Sequence, residues 1–377
     1  MSKKTKRNRT KRNLDKNDAT DSTITRSQLR KNNKVSWWPR ILKTTVIVFL
    51  CGVLAALAYG AKVFVETDSL LENAYQPVKR NTTINDDIDP IKDPIAILIL
   101  GVDNNDDRQL ESTRTDAMLL ATVSPITQKI SLVSIPRDTY TQINSPTFVG
   151  MEKINAAYAF GEVESSIDAV ENLMNIPINY YMTVDFKAFE EIVDVLDGVE
   201  AEVPVDFVEQ NAAGKEVVSL KKGLQKLNGE EALAFARTRK IDNDVMRGSR
   251  QQEIMQAVLK KGMKLGSVTK LTEVMTALDG HFWTDMDMAT MMKVAQSGIT
   301  SSYDFDSYIF SWLSFDYYGS SMVGLHGDSL DYISHRLRLS LGLDEADERD
   351  VEGYEFVSNG LISEKTFPLD GMAIINP

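Results

Sequence analysis

From residue 94 onward the chain alternates between two patterns. Short, largely apolar runs at 95–103 (IAILILGVD), 117–125 (AMLLATVSP) and 129–138 (KISLVSIPRD) have the length and the branched residues of strands covered on both faces. The second and third are separated only by Pro125 to Gln128, which predicts a hairpin. Longer segments with apolar residues three or four positions apart predict helices at 163–175 (VESSIDAVENLMN) and 185–198 (DFKAFEEIVDVLDG). In the latter, Phe186, Phe189, Val193 and Leu196 share a face, and Gly198 ends the element. Two further short strands, 199–205 (VEAEVPV) and 216–220 (EVVSL), precede helices over 228–238 (NGEEALAFART) and 249–264 (SRQQEIMQAVLKKGMK). Interleaving of this kind predicts an α/β domain, a central mixed sheet covered by helices, with no internal repeat.

Upstream of residue 94 the pattern is different. Residues 44–61 (TTVIVFLCGVLAALAYGA) carry no charge, and Val63 to Val65 prolong the apolar character to residue 65. Eighteen residues at 1.5 Å each span about 27 Å, close to the ~30 Å of a hydrocarbon core, so the stretch predicts one membrane-spanning helix. A cleaved signal peptide at Ala56-Leu57-Ala58 is disfavoured by the 43-residue lead, and a lipid anchor on Cys51 by the bulky Leu50 before it. Residues 66–93 are too poor in apolar residues to pack and predict an external stalk. The acidic, weakly patterned residues 345–377 predict an extended or partly disordered tail, which leaves 94–344 as the folded domain.

Charge gives the span a direction. The chain carries −12 overall, but residues 1–43 hold fourteen Lys and Arg against three Asp, +11, which leaves −23 for the rest. A basic segment before the span and an acidic one after it predict a cytoplasmic amino terminus and an external domain. That topology accounts for the basic tail without nucleic acid, and no nucleic-acid partner is expected. With Cys51 as the sole cysteine, no intramolecular disulfide can form, which suits the surface of a Gram-positive bacterium.

Within this acidic domain, residues 233–252 (LAFARTRKIDNDVMRGSRQQ) gather Arg237, Arg239, Lys240, Arg247 and Arg250 against Asp242 and Asp244. Guanidinium groups at a helix start oppose the helix dipole unless an anion sits among them, and their planar forks match phosphate oxygens. A second cluster lies at the ends of the predicted strands: Asp103 closes the first, Arg114 and Asp116 open the second, and Arg137 ends the third. Two carboxylates at neighbouring strand ends suit a hard cation such as Mg²⁺ that also holds a substrate phosphate. Taken singly, each of these residues reads as an ordinary capping acid or solvated arginine. Their joint position at one sheet edge, where α/β proteins bind ligands, points to phosphate chemistry.

Six ordered stretches, ILILGVD, STRTDAMLLATVSP, ISLVSIPRDTY, KINAAYAFG, YYMTVDFKAFEEIVDVLDGVE and LNGEEALAFARTRK with the following D.D..R..RQQ, resemble the successive motifs of the LytR-CpsA-Psr family over roughly residues 92–341. The resemblance implies a three-layer α-β-α domain behind a single anchor helix. It implies a phosphotransferase that moves a glycopolymer, such as a teichoic acid or capsular polysaccharide, from undecaprenyl pyrophosphate to peptidoglycan, with membrane lipid as a further partner. It assigns Asp103 and Asp116 to Mg²⁺, or to Mn²⁺ in its place. Arg114, Arg137, Arg237, Arg239, Arg247 and Gln251 become the pyrophosphate clamp, and Asp244 a further acid of the site. Departures are Met246, where relatives commonly carry Gly, and the acidic loop Asn104 to Glu111. The two amphipathic stretches beginning at Val163 and Gln251 could either line a channel for the lipid tail or simply pack the core.

Two other readings remain open on the sequence. A transcriptional regulator or attenuator draws only on the basic tail, and a lipid-pyrophosphate hydrolase would use the same residues with water as nucleophile. Two motif matches are decoys. Gly327 to Leu330 spell a lipase-like GDSL ahead of a helical pattern, where Asp328 or Ser329 is better read as a cap, and Ser219 to Lys222 fit S-x-x-K without the companion motifs. His281, His326 and His335 are scattered, with no zinc spacing.

Overall fold

The structure, a computed structural model, describes residues 74–78, 88–102, 114–211, 216–238, 240–241, 244–264, 273–274, 276–300 and 302–376. The predicted basic tail and membrane span lie outside the described residues, as do Asp103 and Arg239. Among the described residues, no helix is long and apolar enough to cross a membrane.

In chain order the elements are β1 (Ile95–Val102), β2 (Thr115–Ser124), β3 (Lys129–Ser134), β4 (Tyr140–Asn144), β5 (Val149–Lys153), α1 (Ala156–Met174), β6 (Tyr180–Asp185) and α2 (Phe186–Val195). There follow β7 (Val199–Val203), β8 (Phe207–Gln210), β9 (Glu216–Leu220), β10 (Gly223–Leu227), α3 (Gly229–Arg237) and α4 (Asp244–Met263). The chain continues through β11 (Phe282–Thr284), α5 (Met288–Thr300), β12 (Asp304–Tyr308), β13 (Trp312–Tyr317), β14 (Ser320–Leu325), α6 (Gly327–Ser340) and β15 (Ile374–Asn376).

The three apolar runs are adjacent strands of one mixed sheet, ordered β11-β6-β1-β2-β3-β12. β1 lies antiparallel to β2 and β2 to β3, the latter pair forming the expected hairpin, while β6 runs parallel to β1. β1 is apolar on both faces because both are covered. Ala96, Leu98, Leu100, Met118 and Leu120 pack on one side with Ile167, Val170 and Leu173 of α1 and with Leu330, Ile333 and Leu337 of α6. On the other side Ile99, Leu119, Ala121 and Leu132 meet Met255, Leu259 and Met263 of α4. Leu98, Leu100, Leu120 and Leu132 are fully buried, each contributing roughly 1.5–3 kcal/mol relative to exposure. The helix expected to run to Gly198 stops earlier, at Val195; beyond its end Gly198 adopts φ 71° and its N–H returns to the Val193 carbonyl, a conformation that glycine takes without strain.

The carboxyl-terminal segment departs from the expectation of an extended or partly disordered tail. β15 pairs with β13, and the fully buried Thr366 accepts the Leu325 N–H on its Oγ1. Before that, His335 of α6, 6% exposed, faces carboxylates on both ring nitrogens, with Asp344 Oδ2 3.0 Å from Nδ1 and Asp350 Oδ2 2.9 Å from Nε2. Arg336 pairs with Asp350 at 2.6 Å and Arg338 with Asp344 at 2.9 Å. The segment is thus tied to α6 by these charged pairs and by the Phe356 ring, stacked on Tyr332 of α6 with centroids 4.6 Å apart. Hydrogen bonds from Arg338, then from His335, hold the Asp344 carboxyl below its ordinary value, and those from Arg349 hold Asp347 down to about 2. A carboxyl with a depressed folded pKa stabilises the fold above its unfolded value, about 3.9, and loses that contribution as pH falls through the folded value. Protease cleavage within residues 345–376 should therefore stay slow from neutral pH down to about 5 and accelerate as pH falls from about 4 to 2. Cleavage that ignores acid would count against a charge-held segment.

Candidate functional site

Sheet direction brings the candidate residues to one edge. Because β1, β6 and β3 share a direction and β2 opposes them, the carboxyl ends of the first three and the amino end of β2 meet there. The β1–β2 register breaks at this edge: Gly101 faces Ala117 and Val102 faces Thr115, so Asp116 is the extra residue of a bulge. A bulge re-aims its unpaired residue, here a carboxylate at the strand mouth. Arg137, three residues past β3, donates through Nη1 to Asp116 Oδ1. The Arg137 Nε lies buried 3.7 Å from Asp138 Oδ2, with no hydrogen-bond partner among the described residues.

Helices α2, α3 and α4 supply the rest. Asn228 and Glu231 form a reciprocal capping box that starts α3, and its last residue, Arg237, places its guanidinium carbon 4.2 Å from the centre of the Phe186 ring. On α4, Arg247 and Gln251 stand one turn apart with Gly248 between them. A Cβ at Gly248 would lie 2.9 Å from Ser134 Oγ, so the glycine allows α4 to seat against the end of β3 and carry both side chains to the mouth. Met246, the departure from the family pattern, is 46% exposed while Arg247 is 7% exposed, so the extra side chain leaves the arginine in place. One arginine of the basic stretch serves a different purpose. Arg250, 4% exposed, donates to the carbonyls of Phe235 and Thr238 and so caps the end of α3 with a cation where the dipole favours one.

These side chains rim a cavity of about 260 Å³. Its wall is apolar, built from Ile99, Leu119, Val184, Phe189, Leu233 and Met255, whereas Asp116, Arg137, Arg237, Arg247 and Gln251 bring polar and charged groups to it. Of the two helical stretches offered as channel walls, α4 contributes Met255, but Ile167, Val170, Leu173 and Met174 of α1 belong to the core on the opposite face of the sheet. Five of the sequence candidates, Asp116, Arg137, Arg237, Arg247 and Gln251, therefore come together. Arg114, exposed just before β2, does not line the cavity. Asp244 begins α4, but its side chain, like Asp103 and Arg239, lies outside the described residues.

The structure also adds residues that the sequence reading passed over. Asp185, 3% exposed, lines the cavity at the end of β6; its Oδ1 accepts from the Ala188 N–H to cap α2, and its Oδ2 lies 2.6 Å from His281 Nδ1. Asp185 ends a strand at the same sheet edge, so the strand-end position that picked out Asp103 could have found it too. Glu190, one turn beyond Phe186, has its carboxyl pushed up by burial and by Glu230 and Asp194, with Arg237 opposing. The two decoys are settled by geometry: Ser329 is fully buried and accepts from the Ser311 N–H, and Asp328 receives the N–H groups of Ser329 and Asn359. Ser219 sits in the β8–β9 hairpin, away from the cavity wall.

Three guanidinium groups at the mouth of an apolar cavity, beside Asp116 and the hydrogen-bonded Asp185, suit an amphiphile with a multiply charged anionic head. The LytR_cpsA_psr family matches residues 62–334. An uncharacterized protein of Staphylococcus aureus is 36% identical over 237 residues, covering 61% of this chain and 58% of that protein, so the chain spans little more than half of that relative's length. The polyisoprenyl-teichoic acid–peptidoglycan teichoic acid transferase TagU of Bacillus anthracis is 34% identical over 269 residues, 68% of this chain and 84% of TagU. Among solved structures, TagT of Bacillus subtilis bound to LIIa-WTA aligns with a TM-score of 0.58 at 30% identity, covering 71% of this chain and 96% of that one. TagT with bound octaprenyl pyrophosphate lipid aligns with a TM-score of 0.54 at 29% identity over the same shares.

Proposed function

Because the chain belongs to the LytR-CpsA-Psr family, we propose that it is a membrane-anchored phosphotransferase that moves a glycopolymer from a polyprenyl pyrophosphate carrier to peptidoglycan. The observation that carries this reading is the pairing of an apolar cavity with a rim of Arg137, Arg237 and Arg247, a shape that takes a lipid tail and a pyrophosphate together. The names of TagU and TagT support it: one is a teichoic acid transferase, and the other was solved with a polyprenyl pyrophosphate.

On this reading the reacting sugar-proximal phosphorus lies at the rim. A peptidoglycan hydroxyl forms a new P–O bond and gives up its proton, the bond to the bridging oxygen breaks, and polyprenyl phosphate, whose freed oxygen can take that proton, leaves down the apolar wall. Arg137, Arg237 and Arg247 meet charge as it moves between bridging and outer oxygens, as donors at the mouth of an apolar cavity. Gln251, whose Oε1 lies 3.5 Å from Ser134 Oγ, keeps its amide N–H groups for a phosphate or sugar oxygen. The described carboxylates fit a divalent cation in one respect: Asp116 is a hard oxygen donor at the rim, whereas Asp185 has both oxygens committed to His281 and to the α2 cap. Asp116, with Asp103, would hold Mg²⁺, which binds through one or two carboxylates plus substrate phosphate and supplies charge neutralisation there.

The charge split of +11 before the apolar stretch and −23 after it supports placing the catalytic domain outside a Gram-positive cell; protease digestion of a tag at residue 1 in intact protoplasts would reverse this topology. For the site itself the test is thermal. Octaprenyl pyrophosphate at about 100 times its dissociation constant should add roughly 2.7 kcal/mol, a melting-temperature rise of several degrees for a domain of this size, and octaprenyl monophosphate less. Equal shifts with both lipids, or none with either, would remove the pyrophosphate from the proposal.

A further inference from the structure

We propose that His281 is a positioning residue for the phosphate clamp, acting through Asp185 and Phe186 on Arg237. This rests on the reading of the rim as a pyrophosphate site, but it is carried by a chain of contacts that runs from His281 through Asp185 and Phe186 to Arg237.

Arg237 ends a helix, and a long flexible side chain in that position loses rotamer freedom whenever it clamps a ligand. Phe186 offsets that loss beforehand: its ring lies 4.2 Å from the guanidinium carbon, close enough for the ring quadrupole to hold the cation. A stacked guanidinium still has its in-plane N–H fork available, which is the edge a phosphate needs. The ring is in turn held from behind. Phe186 is the first residue of α2, whose start is fixed by the Asp185 cap on the Ala188 N–H. Asp185 is itself pinned by His281, whose Nδ1 lies 2.6 Å from Oδ2 and whose backbone carbonyl accepts the Asp185 N–H at 3.2 Å. His281 reaches this place because β11, which it precedes, pairs with β6 through Phe282 opposite Val184 and Trp283 opposite Thr183. An edge strand far along the chain thus sets the orientation of a helix start, and the helix start sets the plane of the arginine. The account also gives Asp185 a reason to be a buried carboxylate beside an anion site: it is already committed to an imidazole and a helix amide and is not facing the ligand as a free charge.

The test uses the full chain in detergent micelles and octaprenyl pyrophosphate as probe. Phe186→Leu keeps an apolar side chain without the quadrupole and should weaken binding about five- to tenfold, while Phe186→Tyr should stay within about twofold of wild type. His281→Ala should produce a similar loss, seen in KM with kcat largely kept, and His281→Asn, whose amide N–H replaces Nδ1, should restore most of the affinity. Because the residues act in series, the double variant Phe186→Leu/His281→Ala should bind no worse than the weaker single variant. A ligand-free measurement accompanies these: His281→Ala should speed hydrogen exchange at the Ala188 amide, and His281→Asn should not. Additive losses in the double variant, unchanged affinity in His281→Ala, or unchanged Ala188 exchange would each overturn the inference. Wild-type protein that fails to bind the probe while His281→Ala still speeds Ala188 exchange would instead sink the pyrophosphate reading and keep the structural coupling.

Discussion

Arg237→Ala and Arg247→Ala are each expected to lower glycopolymer transfer by about 10²- to 10³-fold, roughly 2.7–4 kcal/mol, the range for removing one preorganised donor aimed at developing charge. Both guanidinium groups stand at the rim of an apolar cavity, and Arg247 is 7% exposed, so its interactions are screened less than those of a surface arginine. The two losses should be partly redundant, since either arginine alone leaves the pyrophosphate bound in a poorer geometry. Arg→Lys at the same positions keeps the charge but not the bidentate fork and should recover only a small part of the activity. Arg250→Ala behaves differently on this account. Its guanidinium caps the end of α3, so its removal should appear first as a lower melting temperature. Transfer by Arg237→Ala and Arg247→Ala within threefold of wild type would show that the rim is a solvated surface.

Asp116→Asn is expected to reduce Mg²⁺-dependent transfer by about 10²-fold or more and to raise the Mg²⁺ concentration needed for half-maximal rate. The substitution keeps shape and an acceptor oxygen but removes the charge that a hard cation requires. Stability should change by less than about 1 kcal/mol, because the Asp116 and Arg137 side chains are 35% and 25% exposed and such pairs contribute little in water. A fold that persists with its metal response lost would separate metal binding from structure. Full activity with an unchanged Mg²⁺ titration would remove Asp116 from the metal assignment.

The parts of this architecture that were legible in the sequence are those written locally. Unbroken apolar runs mark β1, β2 and β3 because helices cover both faces of the sheet, and the meeting of Asp116 and Arg137 at one cavity was legible because both stand at the same edge of adjacent apolar strands. What was not legible depends on partners distant in sequence. Nothing near Asp185 announces that its partner is His281, 96 residues away, and Phe186 reads as one more apolar residue on a helix face until Arg237 lies over it. Spacing alone likewise does not reveal that Arg250 caps α3 while its neighbour Arg247 faces the cavity. The carboxyl-terminal segment was read as a loose tail because it lacks apolar period. His335, Arg336 and Arg338 hold it by charge, and acidic residues that look solvated in sequence turn out to be pinned. The bulge that aims Asp116 was also hidden, since a one-residue register shift leaves no compositional trace.

The central claim is tested most directly by the fate of the polymer. The full chain would be incubated with an undecaprenyl-pyrophosphate-linked teichoic acid, nascent peptidoglycan and Mg²⁺, and the products separated into glycan-attached polymer, free polymer and lipid phosphate. The account predicts polymer joined covalently to peptidoglycan, with undecaprenyl phosphate appearing in equal amount, and loss of both in Arg237→Ala and Asp116→Asn. Polymer released free into solution at the same rate with or without peptidoglycan would identify a hydrolase and contradict the transferase account.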